Sequence, residues 1–117
     1  MREAPAIDAI GDRGFRIAGR RHDGSVLILE DAVRPWPVGS MGELGPEHFV
    51  EVAASAAVVE LVLLGTGVSQ ALPPRAVREA LQRANLGFEF MDTVAACKLY
   101  NYLASEGRRV AAALIAV

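Results

Sequence analysis

At 117 residues the chain has room for one domain, 1–117, around one core. Hydrophobic residues make up 52% and charged residues 22%, which excludes a disordered chain, and a net charge of −2 excludes the broad basic face of a general nucleic-acid binder. Its one cysteine, Cys97, excludes an intrachain disulfide and fits a reducing compartment.

The N-terminus places Glu3 and Pro5 before any apolar run of signal-peptide length, and no mitochondrial presequence is evident, so a cytoplasmic protein is expected. Ala6–Ile10 reads as a short strand. Asp12-Arg13-Gly14 signals a turn, and Phe15–Ala18 alternates as a half-buried strand does. His22–Ser25 is a second turn, in which Asp23-Gly24 is a hairpin signal. Val26–Leu29 is apolar throughout, as a strand buried on both faces would be. The paired arginines Arg20-Arg21 and Arg108-Arg109 read as solvated strand ends rather than phosphate sites.

Glu30–Gly45 reads as a loop, since Pro35, Pro37, Gly39, Gly42 and Gly45 punctuate it too often for regular structure. Within it, Trp36 has two readings: a lid residue packed over the sheet, which is favoured, or a recognition aromatic at a partner surface. Pro46 opens a helix that ends near Ala57, and Val58–Leu64 follows as a central strand. The greasy stretch Phe49–Val68 is interrupted by Glu51 and Glu60 and broken at Gly65 and Gly67. It falls short of the roughly 20 continuous apolar residues of a span, so no membrane insertion is expected.

Pro73-Pro74 leads into a helix over Arg75–Asn85, with Val77, Leu81 and Ala84 on one face. Phe88–Met91 is a strand, and Asp92 and Thr93 are both good caps for a helix over Val94–Ser105. Val110–Val117 reads as the last strand, its alanines suited to the close approach of a helix. Three strands followed by alternating helices and strands give an α/β domain with a mixed sheet and helices on its faces.

Two groups invite a functional reading. Gly65-Thr66-Gly67 turns sharply at the carboxyl end of a central strand, where open α/β sheets bind ligands, yet it matches neither a dinucleotide fingerprint nor a P-loop. Asp92-Thr93 starts a helix, where free N–H groups attract anions, but the Asp92 carboxylate is expected to cap them itself. Thr93, Cys97 and Asn101 share one helix stripe. Cys97 has no histidine near it in sequence and reads as buried and inert, and Asn101 reads as bonding a neighbouring loop. No zinc-ligand spacing, nucleophile–base pattern or carboxylate pair is legible, so no catalytic residue, metal or cofactor is expected.

Taken in order, Gly65-Thr66-Gly67, Met91–Cys97, Tyr100-Asn101-Tyr102-Leu103 and Glu106–Ile115 resemble one family, with Gly24-Ser25 and Trp36 in agreement. It is a small α/β domain family of unassigned molecular activity that includes the mitochondrial respiratory complex I (NADH dehydrogenase) assembly factor 3. The resemblance covers nearly the whole chain. It implies a three-layer fold about a central mixed sheet, with an N-terminal antiparallel hairpin before the helix–strand units. It implies no established catalytic residues, and it suggests a non-catalytic interaction or assembly module with a protein partner.

Three functional readings follow. In the first, a protein partner docks around Trp36. In the second, a small molecule binds, or is turned over, between Gly65, Thr66 and Gly67 on one side and Asp92 and Thr93 on the other, with Asn101 nearby. In the third, a homodimer forms through an edge strand.

Overall fold

A computed structural model describes residues 3–117 and contains two sheets and three α-helices. Strands β1 (Ile7–Gly11), β2 (Gly14–Ile17) and β3 (Arg20–Asp23) form an antiparallel meander. Strands β4 (Val26–Leu29), β5 (Ala32–Pro35), β6 (Leu61–Gly65), β7 (Gly87–Met91) and β8 (Val110–Leu114) form a mixed sheet in the order β5-β4-β8-β6-β7. Strand β8 lies at its centre, antiparallel to β4 and parallel to β6, and β6 is parallel to β7.

The sheet divides the core in two. Leu27, Leu29, Val62, Leu64, Ala111 and Ala113 face one way, toward α1 (Val50–Ala54), α2 (Arg75–Arg83) and the loop that carries Trp36. Val26, Ile28, Leu63, Ala112 and Leu114 face the other way, toward the meander and α3 (Thr93–Ser105). This is the expected three-layer α/β fold with a central mixed sheet. Alternation along each strand feeds both cores, which explains why β4, β6 and β8 are nearly unbroken apolar runs. Small alanines in β8 let a layer come close on either side.

Several boundaries depart from the sequence reading. The N-terminal hairpin is a three-stranded meander, because Arg20–Asp23 is a strand despite having no apolar residue, held by its ladder to β2. Asp23-Gly24 is not a hairpin turn; Gly24, at φ 81°, carries the chain from one sheet to the other. Part of the expected loop is β5, which pairs with β4 through a turn at Glu30-Asp31, both at positive φ as a type I′ turn requires. The expected helix over 46–57 is a 3₁₀ turn, Pro46–Phe49, followed by the five-residue α1. The Ser55 carbonyl takes the N–H of both Val58 and Val59, so a turn replaces the final helical turn and β6 starts at Leu61 rather than Val58.

Candidate functional site

The carboxyl ends of β6 and β7 are where the chain reverses its winding: α2 leaves β6 toward one face and α3 leaves β7 toward the other. In open α/β sheets this is the place for a crevice. Here it is closed. The Thr66 N–H donates to Met91 O (2.8 Å), Thr93 N–H to Gly67 O (2.9 Å) and Ile115 N–H to Gly65 O (3.0 Å).

The side chains complete the closure. Thr93 is fully buried; its Oγ1 accepts the Gly67 N–H at 2.9 Å and donates to Ile115 O at 2.7 Å. Thr66 Oγ1 lies 2.7 Å from Ser69 O, to which it donates, and accepts the Ala71 N–H at 3.2 Å. Asp92 Oδ1 accepts the Ala95 N–H at 2.9 Å, so the start of α3 is capped by its own chain. A side chain at Gly65 would meet Thr93 Oγ1 at 2.9 Å, so this glycine serves the close docking of α3 onto β6. Gly67, at φ 109°, supplies the turn. The structure therefore brings Gly65, Thr66, Gly67, Asp92 and Thr93 together, but turns their polar atoms on one another.

Asn101 lies farther along α3. Its Oδ1 accepts the Ile7 N–H at 2.8 Å and its Nδ2 donates to Ile7 O at 2.9 Å, so the amide pairs with the edge of β1 as a strand would. It also lines a shallow cleft of about 240 Å³ beside Pro5 and Ser105, away from the junction. Cys97 is buried in the α3-side core, and desolvation pushes its thiol up to about 12, so it holds no thiolate near neutral pH. A larger cleft of about 310 Å³ lies at the opposite end of the parallel strands, between Glu30, Asp31, Val58, Val59 and Arg109. Of the residues weighed from the sequence, it is lined by Arg109 and by none of the ligand or partner candidates. Among the described residues no three His, Cys, Asp or Glu side chains converge.

Trp36 is 5% exposed. Its Nε1 donates to His48 O at 3.2 Å and its ring meets Phe49 edge-on at 5.7 Å. Phe49 in turn contacts Phe88 (6.5 Å) and Phe88 contacts Phe90 (6.2 Å). Its own loop thus holds Trp36 as the first ring of an aromatic row packed over the sheet, in keeping with the favoured lid reading. Apolar packing and one hydrogen bond satisfy the indole more fully than solvent would.

Exposed apolar side chains lie beside Trp36 at Val50 of α1, at Leu72 before α2, and on and beside α3. Val94 is 42% exposed, Tyr102 61% and Val68, next to the junction, 88%. Across its 13 residues α3 carries a single charge, Lys98, and Ala95, Leu99 and Leu103 are only partly covered. No polar motif in the sequence marks this surface. Its signal is nevertheless present: apart from the flank that carries Lys98, Asn101 and Ser105, α3 is apolar around its circumference and wants cover on more than its core side.

Comparison with known proteins agrees with this architecture. Residues 7–115 match the family described as Protein of unknown function (DUF498/DUF598). The chain is 38% identical over 109 residues to an uncharacterised protein of Rhodobacter capsulatus, covering 93% of this chain and 82% of that one. It is 36% identical to the mouse NADH dehydrogenase [ubiquinone] 1 alpha subcomplex assembly factor 3, covering 97% of this chain but 61% of that protein's length. Among solved structures, one named as an outer membrane protein of Bartonella henselae superposes with a TM-score of 0.90 at 33% identity, covering 97% of this chain and 96% of that one. An NMR structure from Rhodopseudomonas palustris gives 0.84 at 40% identity, covering 100% and 89%. With the family match spanning nearly every element from β1 to β8, the chain belongs to the DUF498/DUF598 family, to which the complex I assembly factor 3 proteins are similar over this domain.

Proposed function

We propose that the protein is a non-catalytic interaction module that acts as an assembly factor does, by holding a protein partner. The observation that carries this reading is the outward face of α3, where Val94 and Tyr102 stand exposed on either side of the single charge, Lys98, with Leu99 and Leu103 half-buried beside them. An apolar surface of this kind marks a contact site in a small domain. The similarity to complex I assembly factor 3 supports a role in assembly, transferred from proteins of which this chain spans about three-fifths. A cytoplasmic location belongs to the same reading and draws support from the single unpaired Cys97. No helix among the described residues is long and apolar enough to cross a membrane. No observation favours a small molecule at the Gly65–Asp92 junction, where hydrogen bonds within the chain occupy the hydroxyls.

The test is capture of proteins from native cells by the tagged wild type and by Val94→Glu/Tyr102→Glu, with the fold of the variant checked by circular dichroism. Proteins recovered by the wild type and lost with the variant support the reading. The same proteins recovered by both would remove α3 as the docking face.

A further inference from the structure

The two sheets leave four edges, and three of them are guarded. At β1 the Asn101 amide takes up the N–H and C=O of Ile7, and the register shifts between Ile7 and Ala9. Strand β3 is Arg20-Arg21-His22-Asp23, charged or polar at every position. Strand β5 ends in Pro35, which has no N–H to offer, and its Arg34 is ion-paired with Glu51. These are the usual means by which a native sheet keeps other strands away.

Strand β7, Gly87-Phe88-Glu89-Phe90-Met91, has no proline, no lysine and no bulge, and among the described residues it pairs only with β6. Its two faces are prepared for one more strand. Phe88 and Phe90 continue the aromatic row from Trp36 and Phe49, while Glu89 and Met91 lie on the face shared with α3, whose Leu99 and Leu103 are only partly covered. Glu89 is exposed and has no ion pair among the described residues.

Resting on the interaction-module reading, we infer that β7 accepts an extended segment of a partner protein as a sixth strand of the mixed sheet. The recognised segment alternates apolar residues, set beside Phe88 and Phe90, with a lysine or arginine opposite Glu89. Charge disfavours the simplest competing occupant. A second copy pairing antiparallel over the whole of β7 would place Glu89 directly against its own equivalent, a destabilising like-charge pair. A partner strand instead gains main-chain hydrogen bonds along the edge and reads its register from the one charge.

The experiment selects binders from a randomised heptapeptide library on the immobilised full-length protein and on Glu89→Lys, an exposed change that leaves the core alone. The enriched peptides are then mapped by amide chemical shifts. The expected result is alternating apolar peptides with a basic centre on the wild type and an acidic centre on Glu89→Lys. Exchanging the two peptides should weaken binding by about fivefold to tenfold, with shifts confined to Gly87–Met91 and the adjoining side of α3. No enrichment, or peptides that map elsewhere, would overturn the inference. So would a concentration-dependent dimer with protected β7 amides, which would mean that a second copy covers the edge. If cellular partners are lost with Val94→Glu/Tyr102→Glu but retained with Glu89→Lys, the interaction module stands and only the added strand falls.

Discussion

Helices α2 and α3 cover opposite faces of the same sheet, yet they are built to different rules. In its nine residues α2 carries Arg75, Arg78, Glu79 and Arg83, and only Val77 and Leu81 are buried. Its outer face is finished by solvent, as an amphipathic surface helix should be. Across thirteen residues α3 has one charge, buries Thr93, Ala96, Cys97 and Tyr100, and still exposes Val94 and Tyr102. One helix finishes its outer face with charge, whereas the other leaves apolar side chains exposed on a sheet whose β7 pairs with β6 alone among the described residues. The difference teaches that uncovered apolar area marks the proposed partner face, since the polar groups at the strand ends are spent on the fold itself.

The inner faces of the two helices should be alike, and truncating them gives the largest effects. Tyr100→Ala in α3 and Leu81→Ala in α2 each remove a side chain that is 1% exposed, with an expected loss of about 3–5 and 2–5 kcal/mol in urea unfolding. A loss confined to one helix would show that the two layers do not share one cooperative core. Next, Thr93→Val keeps the shape of the side chain but leaves the Gly67 N–H and Ile115 C=O unpaired, and should cost about 2–3 kcal/mol. A negligible cost would mean that water reaches the junction, and would reopen it as a ligand site.

Cys97 offers a pH test of how dry the underside of α3 is. Its thiol is raised from 9.0 to about 12 in the folded protein. The unfolded chain therefore loses this proton first as the pH rises, and stability present below pH 9 falls progressively toward pH 12, by at most about 1.4 kcal/mol per unit. Comparison with Cys97→Ala isolates the contribution; identical slopes would show that solvent reaches the thiol. The smallest effect on stability, within about 0.5 kcal/mol, is expected when Glu replaces Tyr102 on the outer face of α3 or Gln82 on that of α2. Although alike in unfolding, these two substitutions should differ in binding.

Much of this fold was legible in the sequence. Helix α2 was fixed by its Pro73-Pro74 entry and the spacing of Val77 and Leu81, and β4 by its unbroken apolar run. Strand β3 was not legible, because its stability lies in backbone pairing with β2 and its side chains carry no period. The 3₁₀ start at Pro46 and the early end of α1 depend on the Ser55 carbonyl, a local bond that hydrophobic spacing does not encode. At the junction the sequence correctly brought two distant turns together. It did not show that the Thr66 and Thr93 hydroxyls point inward, because a threonine at a strand end reads the same whether it faces a ligand or a carbonyl. Asn101 was anticipated as an internal hydrogen-bonding residue, and its partner proved to be the β1 edge, 94 positions away.

The most direct test of the central contrast is hydroxyl-radical footprinting of the purified protein, alone and in native cell extract. The expected result is protection of Val94, Leu99 and Tyr102 on α3 when extract is added, with the outer face of α2 modified to the same extent in both samples. Protection on α2, or no change on α3, would contradict the assignment of α3 as the face that partners cover.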